Sequence, residues 1–195
     1  MFWKKLVFNS LTAHIFVVLL FCFSTEVHGS GKQTNSVPGG DFTLQSVEGP
    51  VSLQGLRGKV VILFFGFTNC PDTCPTSLSR MEAAFSKMKK EDLNRVKALF
   101  ISLDPERDSL EKLKQYVGYF HPNILGVTES SEMLARITKQ YGVSFFKKEL
   151  KNSAMGYVIN HTSDIFLIDP QGTLQKTLSH DTSPAILRKN VLGLL

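Results

Sequence analysis

The 195-residue sequence lacks the patterns that mark nucleotide-binding and nucleic-acid-binding proteins. It contains no Gly-rich phosphate loop of the P-loop or dinucleotide type, so nucleotide chemistry has no basis in it. Its net charge is +5, yet the basic residues are scattered among acidic ones, and no long basic run with interleaved aromatic residues occurs. Internal repeats and low-complexity segments are absent too. We therefore expect no nucleic-acid partner.

Cysteine is scarce, with three residues in the whole sequence. Cys22 lies in the N-terminal segment, whereas Cys70 and Cys74 stand four positions apart in "GFTNCPDTCPTSL" (66–78). In an oxidising compartment such a pair can form a disulfide. A disulfide that closes so short a loop restrains the unfolded chain little, so a purely structural disulfide is the weaker interpretation.

Residues 1–29 predict a signal peptide or a membrane anchor. A basic start, an apolar stretch and a polar region follow one another in the order of a secretory signal. An uncleaved anchor is the competing interpretation, because the run from Leu6 to Phe23 only just reaches the length of a membrane span. Residues 30–41, rich in Gly, Ser and Asn, predict a flexible tether. We expect residues 42–195 to face the cell envelope (periplasm or outer face of the inner membrane) or, alternatively, to lie at the mitochondrial inner membrane facing the intermembrane space, with membrane contact only through the N-terminal segment.

Residues 42–195 have the alternation of strands and helices that is typical of a single α/β domain. Two runs of β-branched and aromatic residues, 60–67 and 96–103, predict strands buried on both faces at the centre of a sheet. The other predicted elements are a β-hairpin within 42–59, a helix from Pro75, helices at 109–120 and 131–142, strands at 123–127, 157–161 and 164–178, and a last helix from Ser183. We expect a mixed sheet flanked by helices on both faces, with an N-terminal β-hairpin.

The cysteine pair lies where the strand at 60–67 ends and the next helix begins. In open sheets, ligands bind in the crevice outside the carboxyl ends of the strands. Backbone N–H groups at the start of a helix lower the pKa of nearby thiols. The resulting thiolates attack disulfides or bind a soft metal ion such as Cu(I). The residues themselves therefore leave thiol chemistry and metal binding both open.

A third soft ligand would favour metal binding, and the domain contains three histidines, His121, His161 and His180. His121 precedes a proline at a helix end and predicts a helix cap, and His180 predicts a surface position. His161 ends an apolar strand and precedes a polar break, so it is the best candidate for a ligand. It is far from Cys70 along the chain, so only the fold can bring the two together.

A charged turn, Asp104–Asp108 ("DPERD"), follows the strand at 96–103. We expect it to be solvated, with Asp108 or Ser109 as the cap of the next helix, and partner docking or support of the site is the alternative. Asp72, between the two cysteines, is either a loop former or an electrostatic influence on metal entry.

Four motifs occur in order along the chain: "GFTNCPDTCPTSL" (66–78), "SLDPERDS" (102–109), "YFHPNILGVT" (119–128) and "INHTSDIFLIDPQG" (159–172). Together they resemble the signatures of the Sco/SenC family of copper chaperones. The resemblance implies a thioredoxin-like fold and a copper site made by Cys70, Cys74 and His161, which takes Cu(I), Cu(II) or both. It also implies delivery of copper to the binuclear copper site of cytochrome c oxidase subunit II during assembly of the oxidase.

The sequence departs from this family pattern at two positions. Asn69 stands where family members often have a histidine, and Asn160 stands where many have an aspartate. Neither change removes a ligand, but the second is expected to weaken the orientation of His161.

The resemblance also sharpens the alternative function, a metal-independent thiol–disulfide reductase or redox sensor of the cell envelope with Cys70 and Cys74 as its redox pair. Sco-type proteins are also proposed to reduce the cysteines of the acceptor site. We therefore expect primarily a copper chaperone rather than an enzyme, with an accessory thiol–disulfide reductase activity left open. A dithiol must be reduced before it binds Cu(I), which implies a thiol reductant protein as a partner. Another copper chaperone is a further candidate partner.

Overall fold

The computed structural model describes residues 38–151 and 153–195. The signal peptide or anchor predicted at 1–29 and most of the tether predicted at 30–41 lie outside these residues. The described end of the tether is bonded to the domain, since the Gly39 N–H donates to the Gln140 carbonyl. None of the helices in the described part of the chain is long and apolar enough to cross a membrane.

A five-stranded mixed sheet forms the centre of the domain, with β3 in the middle and the strand order β5-β4-β3-β8-β9. The strands are β3 (Val60–Gly66), β4 (Val96–Ser102), β5 (Ile124–Val127), β8 (Ile165–Ile168) and β9 (Leu174–Leu178). β3, β4 and β5 are parallel, and β8 runs antiparallel to β3. Every residue of β3 is buried, as its unbroken apolar run predicts.

Helices and a hairpin cover both faces of this sheet. One face packs against α1 (Thr73–Phe85), α3 (Leu110–Gly118) and α5 (Pro184–Leu192). The other face packs against α4 (Ser131–Tyr141) and the N-terminal hairpin of β1 (Thr43–Ser46) and β2 (Gly49–Ser52). A short helix, α2 (Lys90–Leu93), and a 3-10 turn (Gln54–Leu56) complete the covering. The predicted fold class is confirmed, including the hairpin.

Helix ends follow the local sequence signals. Ser109, and not Asp108, caps α3, because its side chain accepts the Lys112 N–H. α4 ends at Gly142, which has a left-handed φ of 71° and closes the helix as predicted. α1 begins at Thr73, two residues before the predicted start, and places Pro75 within its first turn, where proline needs no N–H donor.

A two-stranded ribbon lies outside the central sheet. It pairs β6 (Phe145–Glu149) with β7 (Tyr157–His161), and Phe145 faces His161 in its register. The strand at 157–161 is confirmed, but the sequence does not predict its partner strand, because β6 reads FFKKE, without alternation of apolar and polar residues, and four of its five side chains are exposed. Within β7, Ile159 is the buried residue that joins the ribbon to the core.

Candidate metal centre

The cysteine loop, residues 67–72, connects the carboxyl end of β3 to α1. Cys74 is the second residue of α1 and is fully buried, whereas Cys70 is half-buried at the surface. Gly66 makes room for the buried thiol, because a Cβ there would lie 2.6 Å from the Cys74 Sγ and 2.7 Å from the Phe100 ring. The sequence thus predicts the pair's position at the end of a central strand correctly.

The two thiols are free and chemically unequal. The Cys74 N–H donates to the Cys70 Sγ over 3.5 Å. Hydrogen bonding from the Cys74 thiol, helped by backbone N–H groups and the nearby His161, lowers the pKa of Cys70 to about 5. The same hydrogen bond and burial raise the pKa of Cys74 well above its usual range. At neutral pH, Cys70 is therefore a thiolate and Cys74 the proton donor that stabilises it.

His161 faces Cys70 across a cleft of about 210 Å³. The cleft is lined by the cysteine loop and the start of α1 on one side and by Val158–His161 and Ser163 on the other. The Phe67 ring lies at its base, with its centroid 6.1 Å from that of the His161 ring in an edge-to-face arrangement. The structure thus brings two of the three predicted ligands, Cys70 and His161, to one cleft, with Cys74 buried beneath Cys70.

Sheet topology explains this meeting. β3 ends at the carboxyl edge of the parallel strands, and β8, its antiparallel neighbour, begins at the same edge, where Phe64 pairs with Ile165. His161 lies four residues before Ile165, so the chain enters β8 next to the point where it leaves β3. A prediction that β8 pairs antiparallel with β3 would have placed His161 next to the cysteines.

One ring nitrogen of His161 is held by the backbone. The His161 Nδ1 lies 2.8 Å from the Thr162 carbonyl oxygen. A carbonyl only accepts, so this bond requires a proton on Nδ1 and leaves the Nε2 lone pair of the neutral ring free for a ligand. Metal-binding histidines commonly have such a partner. The orientation of His161 therefore does not depend on Asn160, which lies exposed on the ribbon.

The other two histidines lie away from the cleft. The His121 Nδ1 accepts the Asn123 N–H, and its ring packs on Phe85 at 5.1 Å. Burial lowers the pKa of His121. His180 follows β9, where its carbonyl accepts a bond from Arg80. Neither histidine lines the cleft.

The described residues contain no group of three His, Cys, Asp or Glu side chains placed to hold a metal ion as they stand. The donor types nevertheless suit a soft ion, since two cysteine sulfurs, bound as thiolates, and one free imidazole nitrogen are ligands that Cu(I) prefers. Asp72 lies exposed at the rim of the cleft and directly precedes α1. An ion bound by both thiols and His161 would draw the cysteine loop and the ribbon towards each other.

The prediction of a solvated turn at Asp104–Asp108 is wrong for its two aspartates. Asp104 and Asp108 are both 0% exposed, while Glu106 between them is exposed. The burial is tolerated because each carboxylate accepts several hydrogen bonds, which replace the lost water. Asp108 alone accepts from the Thr68 N–H, the Thr68 and Ser102 hydroxyls and Lys112.

The fold and the site define a mixed α/β domain that carries an unequal thiol pair at the carboxyl edge of its sheet. A family model described as SCO1/SenC matches residues 30–195. The chain is 38% identical over 135 residues to "Protein SCO2, mitochondrial" of Saccharomyces cerevisiae, a match that covers 69% of this chain and 45% of that protein. The chain belongs to the SCO1/SenC family.

Solved structures agree with this assignment. The crystal structure of Arabidopsis thaliana ScoI with copper bound matches with a TM-score of 0.72 and 35% identity, covering 80% of this chain and 96% of that one. BsSco matches with a TM-score of 0.63 and 25% identity, covering 82% and 94%; its structure is described as revealing a disulfide switch in a member of the Sco family of cytochrome c oxidase assembly proteins. The thioredoxin-like fold is thereby confirmed. The chain spans about half the length of its mitochondrial relatives, from 40% to 52%.

Proposed function

We propose that this protein binds copper through Cys70, Cys74 and His161 and delivers it to the binuclear copper site of cytochrome c oxidase subunit II during oxidase assembly. The observation that carries the proposal is the shared cleft, in which the Cys70 thiolate faces His161. The copper found in Arabidopsis ScoI and the oxidase-assembly role ascribed to the Sco family of BsSco support it.

Each ligand has a distinct task in this proposal. Cys70, already ionised at neutral pH, makes the first bond to an arriving Cu(I) ion. Cys74 joins it after losing its proton, and the Nε2 of His161 completes a trigonal site. Cu(II) would recruit a further oxygen or water ligand. So few ligands in an open cleft leave the copper accessible to the thiols of an acceptor.

The partners follow from this chemistry. An export compartment oxidises a dithiol, so a thiol reductant protein must keep Cys70 and Cys74 reduced before copper binds. Copper reaches the site from another copper chaperone. We place the protein in the cell envelope, or alternatively at the mitochondrial inner membrane facing the intermembrane space, held there by its N-terminal segment.

The inequality of the two thiols favours one second candidate, a thiol–disulfide reductase. The Cys70 thiolate would attack a substrate disulfide, release one substrate thiolate and form a mixed disulfide. Cys74, after losing its proton, would attack the Cys70 sulfur and release the second substrate thiol. A Cys70–Cys74 disulfide would remain, and the substrate would have gained two electrons.

Copper stoichiometry on the reduced protein tests the proposal. We expect about one copper per chain in the wild type, loss of copper in Cys70→Ser, and much weaker retention in His161→Ala. His121→Ala is the matched control, since that histidine lies outside the cleft, and it should bind copper like the wild type. If no variant or wild type held copper, while disulfide reduction required both cysteines, the reductase would replace the chaperone.

A further inference from the structure

We infer that the acidic turn, Asp104–Asp108, positions both walls of the metal cleft, with Asp108 holding the cysteine loop and Asp104 holding the ribbon that carries His161. Both aspartates are therefore positioning residues for copper binding. The effect of these attachments on copper binding rests on the proposed function, whereas the attachments themselves are present in the protein without copper.

Asp108 fastens the cysteine loop close to Cys70. Its Oδ2 accepts the Thr68 N–H at 2.8 Å, and its Oδ1 accepts the Thr68 hydroxyl at 2.5 Å. Lys112 lies 3.2 Å from the same carboxylate and also donates to the side-chain oxygen of Asn69 at 2.9 Å. The two residues that precede Cys70 are thus tied to one buried group and its counterion. Hydrogen bonds to a buried carboxylate are stronger than those between neutral groups.

Asp104 fastens the opposite wall. Its Oδ1 accepts the Tyr157 hydroxyl at 2.7 Å, and its Oδ2 accepts the Arg107 Nε at 2.5 Å. Arg107 in turn donates to the carbonyls of Met155 and Tyr157, each at 3.0 Å, and its guanidinium lies 3.6 Å from the centroid of the Tyr157 ring. Asp104 and Arg107 therefore hold the beginning of β7 through both the side chain and the backbone of Tyr157.

The ribbon needs such an attachment. An isolated two-stranded hairpin is marginally stable in water, and this ribbon has no partner strand in the central sheet. At the end of β7 that carries His161, bonds between Ser144 and Thr162 lead into β8. Near the middle, only Ile159 is buried. The bonds to Tyr157 therefore hold the end of β7 opposite His161, so that the strand is fixed at both ends and His161 keeps its position at the cleft.

A single hydroxyl joins the two attachments. The Ser102 Oγ donates to Asp108 at 2.6 Å and accepts the Asp104 N–H at 3.1 Å. Ser102 is the last residue of β4, the neighbour of β3. Both walls of the cleft are therefore connected by hydrogen bonds to the centre of the sheet. A site built in this way keeps its ligand-bearing segments near their working positions before copper arrives.

Glu106 offers a matched control within the same turn. It also contacts the ribbon, through a 2.6 Å ion pair with Lys147, but both side chains are largely exposed. Exposed ion pairs stabilise little because water and salt screen them. Glu106→Gln should therefore leave the ribbon and copper binding unchanged, whereas changes to the buried contacts should not.

Amide hydrogen exchange on the reduced protein without copper tests the two attachments. Tyr157→Phe removes one hydroxyl from the Asp104 side, and Thr68→Val removes one from the Asp108 side, so both are mild changes. We expect Tyr157→Phe to speed exchange several-fold in residues 145–149 and 157–161, and Thr68→Val to speed it around residues 67–72. Equal exchange in the ribbon for Tyr157→Phe and Glu106→Gln would overturn the inference, whatever the protein does with copper.

Copper affinity then tests the consequence. We expect Tyr157→Phe to weaken Cu(I) binding by about 10-fold, and to have no further effect when His161 is already replaced by alanine. Thr68→Val should weaken binding equally in both backgrounds, because it acts on the cysteine side. If Tyr157→Phe lost the same factor in the His161→Ala background, Asp104 would act on the fold as a whole and not through His161. If Tyr157→Phe left Cu(I) binding unchanged while His161→Ala alone still weakened it, the positioning role would be rejected and the proposed copper site would be retained.

Discussion

Cys70 and Cys74 differ in what surrounds each sulfur more than in where they lie along the chain. Cys70 receives hydrogen bonds and remains half-exposed, while Cys74 keeps its proton, donates a hydrogen bond to Cys70 and is buried next to Gly66 and Phe100. Cys70 is thus ready to act as a ligand or nucleophile, whereas Cys74 must first lose its proton. Both proposed functions use this difference, so it can be tested independently of them.

Alkylation of the reduced protein measures that difference directly. Because the pKa of Cys70 is lowered to about 5, its thiolate persists down to that pH, and its reaction with iodoacetamide should lose half its rate near pH 5. Cys74, buried and protonated, should react slowly at every pH tested. In Cys74→Ala the midpoint for Cys70 should move upward, because the largest stabilising hydrogen bond is gone. A wild-type midpoint near the ordinary thiol value of about 8.5 would contradict the prediction.

Among the helices and strands, the predictable ones are those whose own residues show whether they are buried. The unbroken apolar run of β3 and the largely apolar run of β4, which only Lys97 and Ser102 interrupt, predict central strands, because a strand that is apolar on both faces must be covered on both faces. β6 carries "FFKKE" with mostly exposed side chains, and only its pairing with β7 makes it a strand. Pairing between distant segments is a property of the fold, which local patterns do not report.

The ribbon also supplies a prediction about stability. Ile159 is its buried residue, only 3% exposed and packed in the core cluster beneath β3 and α4. Ile159→Ala should lower the free energy of unfolding by about 2–5 kcal/mol, because it removes apolar contacts and leaves a cavity. Phe146→Ala, on the same ribbon but 61% exposed, should change it little. Urea denaturation of the reduced protein compares the two, and similar losses would mean that the ribbon does not use Ile159 as its anchor.

The candidate site belongs to the whole molecule. The cysteine loop follows β3, the acidic turn follows β4, and His161 precedes β8, so three separate segments meet at one edge of the sheet. Sequence analysis placed the cysteines at that edge from local patterns, but it connected His161 to them only through the family resemblance. The burial of Asp104 and Asp108 could not be predicted, because most of their hydrogen-bond donors come from the cysteine loop, β4, β7 and α3, and only Arg107 belongs to their own turn.

The affinity for Cu(I) should therefore depend on pH, and this dependence should show how many protons Cys70 and Cys74 release when copper binds. Above a pH of about 5, Cys70 is ionised and Cys74 carries its proton, so binding of Cu(I) by both sulfurs releases about one proton. Between pH 7 and 8 the affinity should rise about tenfold, since one proton released corresponds to a factor of ten per pH unit. Competition with a chromogenic Cu(I) chelator measures the slope, and Cys74→Ser should abolish the part that Cys74 contributes. An affinity that stayed constant between pH 7 and 8 in the wild type would mean that Cys74 does not bind as a thiolate, leaving copper to Cys70 and His161 alone.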